Sequence, residues 1–173
     1  MSVKDFVAFK VMLVEDDDGF RRSLAGILRS RFPSMVLAEA ADGTEAMEKV
    51  NSFLPQLIFM DIKLPGQNGL EITRRIKALH PDINVVFLTS YDFPEYREAA
   101  RECGAYCFLS KGVSTAEQIH DVVEELWTKW KPSRVQSVSS LIMTIPCCIW
   151  SAGDWLTSTF VESSSKSGGF LMW

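Results

Sequence analysis

The sequence of 173 residues predicts an α/β fold, a parallel sheet covered by helices on both faces and followed by a C-terminal extension. Three observations carry that prediction. Short apolar runs of strand length alternate five times with stretches of helical periodicity up to Trp130, the pattern of successive right-handed crossovers. The clearest runs, such as Leu57-Ile58-Phe59-Met60, are apolar at every position rather than at every second one, as strands buried on both faces must be. Four of the five runs lead directly into polar or charged residues, so chemistry is concentrated at strand ends.

Each element has its own signal. Val11-Met12-Leu13-Val14 is the first predicted strand and ends on Glu15-Asp16-Asp17-Asp18. The helix after it places Phe20, Leu24, Ile27, Leu28 and Phe32 on one face, with Asp17 as N-cap and Pro33 as stop. Met35 to Ala40 reads as the second strand and Asp42-Gly43 as its turn, with a helix from about Thr44 to Asn51 before Pro55. The third strand, Leu57 to Met60, runs into Asp61; Pro65, Gly66, Asn68 and Gly69 then end it and open a helix. That helix is expected to bury Ile72, Ile76 and Leu79, with His80 as a C-terminal residue beside the helix dipole. Val85 to Leu88 is the fourth strand, ending on Thr89-Ser90. A short fourth helix turns Tyr96, Ala99, Ala100 and Cys103 inward and stops at Gly104. Cys107-Phe108-Leu109 is the fifth strand, followed by Lys111, and the fifth helix spaces Ile119, Val122, Val123, Leu126 and Trp130.

In a parallel sheet the carboxyl ends of all strands lie at one edge, so Glu15, Asp16, Asp61, Thr89 and Lys111 are expected to converge. Three carboxylates at one place repel unless a cation lies between them, and a hard divalent ion such as Mg²⁺ suits an all-oxygen ligand set. An aspartate surrounded by Mg²⁺, an ammonium and a hydroxyl is a phosphoryl-transfer constellation, with Asp61 as the nucleophile that becomes an acyl phosphate. Each residue taken alone also has a plainer reading: Asp16 as a helix cap, Thr89 as a strand residue, Phe108 as core, Lys111 as a solvated lysine.

The stretches MLVEDD, FMDIKLPGQNGLE, VVFLTS and GAYCFLSK resemble, in this order, the response-regulator receiver domain of two-component signalling, over about residues 9 to 130. The resemblance implies a flavodoxin-like, doubly wound sheet of order 2-1-3-4-5. It makes Asp61 the phosphoacceptor, Glu15 and Asp16 the acidic pair with Asp16 the direct Mg²⁺ ligand, and the backbone carbonyl of Lys63 the third protein ligand. It also makes Thr89 the switch hydroxyl, Phe108 the switch aromatic and Lys111 the cation. The partners implied are a sensor histidine kinase or phosphotransfer protein as donor, and a target bound through the face of the fourth helix, fifth strand and fifth helix. The likeness allows a phosphorylation-dependent dimer as well. Two departures stand out. Gly112 follows Lys111 where the family often has a cis proline, so the loop there is expected to differ. Glu15 stands where aspartate is commoner. The segment HPDINVVFLTSYD resembles the branch with LuxR-type output.

Composition narrows the alternatives. Residues 132–173 carry Arg134, Lys166, Asp154 and Glu162, two of each sign, so the net charge of −4 lies entirely in residues 1–131. That mild acidity provides no electrostatic reason to expect direct nucleic-acid binding. Cys103, Cys107, Cys147 and Cys148 show no CxxC spacing, and the histidines are His80 and His120; this argues against zinc and disulfides and for reduced thiols in the cytoplasm. Cys103 and Cys107 read as small buried residues. The apolar patch from Phe6 to Ala8 is soon followed by Lys10 and four acids, so no signal peptide is expected.

Residues 1–131 thus read as a receiver domain and 132–173 as a Ser/Trp-rich extension of unknown role. The uncharged stretch Val135 to Gly153 is near membrane-spanning length, but Gln136, several serines and Pro146 dilute it, and no membrane partner is expected. The extension is too short and too poor in Lys and Arg for a LuxR-type DNA-binding domain. A partner-binding extension, a poorly ordered appendage and the remnant of an output domain all stay open. The functional reading is a phosphorylation-controlled binding switch, not an enzyme. Its rivals are a transcription regulator whose DNA-binding part is missing or replaced, and a pseudo-receiver scaffold that takes no phosphate. An aspartate-nucleophile phosphatase would need a second acid two residues beyond Asp61, where Lys63 stands.

Overall fold

The computed structural model describes residues 8–130. The extension 132–173 with its cysteines, and the patch beginning at Phe6, lie outside the described residues. In chain order the elements are β1 (Lys10–Val14), α1 (Asp18–Arg31), β2 (Val36–Ala40), α2 (Gly43–Phe53), β3 (Leu57–Met60), β4 (Lys63–Leu64) and β5 (Gln67–Asn68). Then follow α3 (Gly69–Leu79), β6 (Asn84–Thr89), α4 (Pro94–Glu102), β7 (Cys107–Ser110) and α5 (Ala116–Lys129).

Five of these strands form one parallel sheet of order β2-β1-β3-β6-β7. Counted among the sheet strands alone, that is the expected 2-1-3-4-5. The register pairs Val14 with Met60 and Met60 with Phe87, so the residues just beyond β1, β3 and β6 emerge side by side at one edge. Alternate residues of each strand feed two cores. Met12, Val14, Ile58, Met60, Val85 and Phe87 pack with residues of α2, α3 and α4; Val11, Leu13, Leu57, Phe59, Val86 and Leu88 pack with residues of α1 and α5. Each such side chain contributes on the order of 1.5–3 kcal/mol by leaving water, so the strand ends stand directly on well-buried residues.

Helix starts are set locally. Asp17 caps α1 by accepting the Phe20 N–H at 2.8 Å, and Asn68 caps α3 by accepting the Leu70 N–H at 2.9 Å. Thr115 opens α5 with a reciprocal box involving Gln118. Asp42, read from sequence as part of a turn, is the N-cap of α2, accepting the Thr44 and Glu45 N–H groups, and the helix starts at Gly43.

Two expectations need correction. Ile27 is 37% exposed, because the inward arc of α1 is centred on Leu24, Ala25 and Leu28 and passes it by. Leu79 is 61% exposed: it is the last residue of α3, and Ile83, four residues on, closes the core in its place. In α4 the inward set is the expected one: Ala100 and Cys103 are buried, and Tyr96 and Ala99, partly buried, pack against the same core. The antiparallel pair β4–β5, with Lys63 opposite Asn68, has no counterpart in the sequence reading, since two-residue strands are too short to show a period.

Candidate functional site

The site begins where β1 and β3 end. The Asp61 N–H donates to the Val14 carbonyl at 2.9 Å and the Glu15 N–H to the Ala40 carbonyl at 3.0 Å, which extends the sheet's hydrogen bonding by one residue on each strand. The two carboxylates are thereby carried by the core itself. Both residues are nearly buried, at 4% and 5% exposure, whereas Asp16 is exposed. One carboxylate oxygen from each of Glu15, Asp16 and Asp61 lies within 4.8 Å of the others.

Lys111 arrives from the end of β7. Its backbone N–H donates to the Thr89 carbonyl at 2.9 Å, and its Nζ lies 2.5 Å from Glu15 Oε2 and 2.7 Å from Asp61 Oδ2. Burial raises the Glu15 carboxyl above its ordinary value, with the Lys111 hydrogen bond working against it. Burial alone would lower the Lys111 ammonium, but hydrogen bonds to Asp61 and Glu15 outweigh it and hold the lysine above its ordinary value. An all-oxygen, net-negative donor set of this compactness, open to solvent through Asp16, fits a small hard cation.

The remaining expected residues surround this centre. The Lys63 N–H points at Asp61 Oδ1 at 3.4 Å, and its ammonium lies over the Tyr91 ring, 5.2 Å from the centroid. Thr89 is fully buried and its oxygen accepts the Tyr91 N–H at 3.3 Å, leaving its own proton to offer to an acceptor. Phe108 is half-buried on β7, 6.4 Å from the Phe87 ring, with the Arg97 guanidinium over its ring, 4.7 Å from the centroid. Among the described residues all peptide bonds are trans, and the loop after Lys111 folds back through a Ser114 N–H to Ser110 carbonyl bond of 2.8 Å.

Sequence reasoning missed three contributors. Arg21 donates to the Glu15 carbonyl at 2.6 Å and pairs with Asp18 at 2.8 Å and Glu39 at 3.5 Å, which steadies the acidic loop; the Asp18–Arg21 spacing on α1 was legible, the rest was not. Asp92 grips Arg97 through two bonds of 2.6 and 2.8 Å, and so ties the loop after Thr89 to Phe108. Gly69 brings the start of α3 against the Asp61 backbone, where an added Cβ would lie 2.0 Å from the Asp61 carbonyl oxygen.

The family model described as the response regulator receiver domain matches residues 11–124. Response regulator GacA of Pseudomonas syringae pv. syringae is 32% identical over 113 residues, covering 65% of this chain and 53% of that protein; the chain thus spans about half of that relative's length. Sporulation initiation phosphotransferase F of Bacillus subtilis is 28% identical over 116 residues, covering 67% of this chain and 91% of that one. The crystal structure of a CheY-like receiver domain protein from Methanospirillum hungatei shares the fold, with a TM-score of 0.64 at 24% identity over 70% of this chain and 96% of that chain.

Proposed function

The chain belongs to the response regulator receiver domain family of two-component signalling, and on that premise we propose that Asp61 is its phosphoacceptor and that phosphorylation switches the binding of a target protein. Receiver domains bind Mg²⁺ at an acidic pocket and interact with histidine kinases or phosphotransfer proteins. Here Glu15, Asp16, Asp61 and the Lys63 carbonyl would hold the ion, which would supply positive charge beside an anionic donor. The observation that carries the reading is the convergence of carboxylates from two strand ends upon one lysine from a third, with Lys111 bonded to both Glu15 and Asp61.

The chemistry asks little of the protein beyond placement and charge. A carboxylate oxygen of Asp61 bonds to phosphorus while the bond from phosphorus to the donor's leaving group breaks, and the leaving group keeps that electron pair. The Lys111 ammonium, already 2.7 Å from Asp61, turns to the phosphoryl oxygens as their charge arrives. The Thr89 hydroxyl donates to one of them. Drawing Thr89 inward makes room for Phe108 to turn, and α4, β7 and α5 then present a changed surface to a partner. The role is that of a self-modifying signalling protein with a cytoplasmic setting; among the described residues no helix is long and apolar enough to cross a membrane.

The test is mass spectrometry after incubation with acetyl phosphate, with and without Mg²⁺. The expected result is a gain of one phosphoryl group, labile to hydroxylamine, requiring Mg²⁺ and abolished in Asp61→Asn. A wild-type chain left unmodified by both a small donor and a kinase would favour the scaffold reading instead. Modification persisting in Asp61→Asn would move the acceptor elsewhere.

A further inference from the structure

The Lys111 ammonium is enclosed from three directions. Glu15 and Asp61 hold two of them, at 2.5 and 2.7 Å, and the side chain is only 12% exposed. The third is taken by Phe20, whose ring centroid lies 4.6 Å from Nζ. The face of an aromatic ring carries the negative lobe of its quadrupole and attracts a cation at this distance, which an alkyl group of the same bulk does not do.

The need for such a contact follows from the chain around the lysine. A lysine stem is long and freely rotating, so its head is placed by what it touches. The loop beyond it is hydrogen-bonded back to Ser110, yet little side-chain packing follows the lysine: a Cβ at Gly112 would meet nothing within 4 Å, and Val113 is 76% exposed. Phe20, by contrast, is fixed. Its backbone N–H is held by the α1 cap Asp17 at 2.8 Å, and its side chain packs against the core beneath α1. An anchored ring therefore faces, across the site, an ammonium that is placed by its contacts and not by its stem.

We propose that Phe20 is a positioning residue for Lys111, its ring face holding the ammonium against Glu15 and Asp61. Without the ring, the ammonium is free to turn toward water on that side, and hydration competes with the two carboxylates for it. The consequence for phosphoryl transfer rests on the reading of Asp61 as acceptor; the placement of the ammonium does not.

The experiment compares the full chain with Phe20→Leu, which keeps apolar bulk and removes the quadrupole, and with Phe20→Trp, which restores an aromatic face. Phe20→Met replaces the leucine variant should that fail to fold. The first readout is the side-chain ¹⁵N-resolved signal of the Lys111 ammonium in metal-free protein, visible only when its protons exchange slowly with water. It is expected in the wild type and Phe20→Trp and lost in Phe20→Leu. The second is the rate of phosphorylation by acetyl phosphate at saturating Mg²⁺, expected to fall a few-fold to about tenfold in Phe20→Leu and to stay within roughly twofold in Phe20→Trp. Wild-type behaviour of folded Phe20→Leu in both readouts overturns the proposal, and so does equal loss in folded Phe20→Trp, which would leave Phe20 a packing role only. If the wild type takes no phosphoryl group, the acceptor reading fails, and the ammonium signal alone decides the role of Phe20.

Discussion

Lys111 has two roles in the metal-free site, one electrostatic and one structural. It faces Glu15 and Asp61 in a nearly dry setting, so its removal leaves two carboxylates without their counter-charge. Lys111→Ala is expected to lower unfolding stability by about 3 kcal/mol at neutral pH. The sign of the pH dependence follows from burial of Glu15, which raises its pKa in the fold. Its favourable contribution is complete below the ordinary carboxyl value and is lost as pH rises through the folded one, so the deficit of the variant should shrink on acidification. Urea unfolding at neutral and mildly acid pH measures this, and a deficit that grows on acidification would contradict it. Cys107 offers a second residue-scale check. Burial pushes its thiol up to about 11, so it should alkylate far more slowly in the folded protein than in urea at neutral pH, with its folded rate climbing as pH approaches that value. Peptide mapping by mass after timed alkylation reads both rates.

At the scale of elements, two glycines in helical segments should respond oppositely to the same change. Gly26 lies in the exposed middle of α1, where an added Cβ meets nothing within 4 Å. Gly26→Ala should stabilise by about 0.5–1 kcal/mol through the lower entropy of the unfolded chain and better helix propensity. Gly69 begins α3 against the Asp61 backbone, with the Asp61 carbonyl oxygen 2.0 Å and Ile62 Cα 3.1 Å from where a Cβ would stand. Gly69→Ala must push α3 away from the strand end; it should cost roughly 2 kcal/mol or more and weaken Mg²⁺ binding, since Asp61 moves with its backbone. Thermal unfolding and calorimetric titration with Mg²⁺ test the pair; a stable Gly69→Ala with unchanged Mg²⁺ affinity would show that the junction yields without moving the carboxylate. The exposed Ile27 and Leu79 have their cause at this scale too. Helical spacing marks a face, but the width of the buried arc depends on where the sheet stops beneath it.

At the scale of the whole molecule, every strand of the sheet is paired and both of its faces are covered within residues 8–130. A chain ending at Lys131 is therefore expected to fold cooperatively, with coincident urea transitions by circular dichroism and by fluorescence of Trp127 and Trp130, which pack against Phe9. A molten or insoluble product would mean that residues beyond 131 complete the core.

The order of elements, the strand ends and the residues standing on them were legible before any coordinates, because burial on both faces writes continuous apolar runs and crossovers must return each strand parallel. From that pattern alone Glu15, Asp16, Asp61, Thr89 and Lys111 fall at one edge, and Asp17 caps the first helix. The antiparallel β4–β5 pair, the exposure of Leu79 and the approach of Gly69 to Asp61 belong to the tertiary structure. So do the contacts of Phe20 with Lys111, Arg21 with the Glu15 carbonyl and Arg97 with Phe108. A period of two or of 3.6 residues states which face a side chain takes. It carries no information about which distant side chain that face meets, and in this site the partners of Lys111 lie 50 residues away and farther.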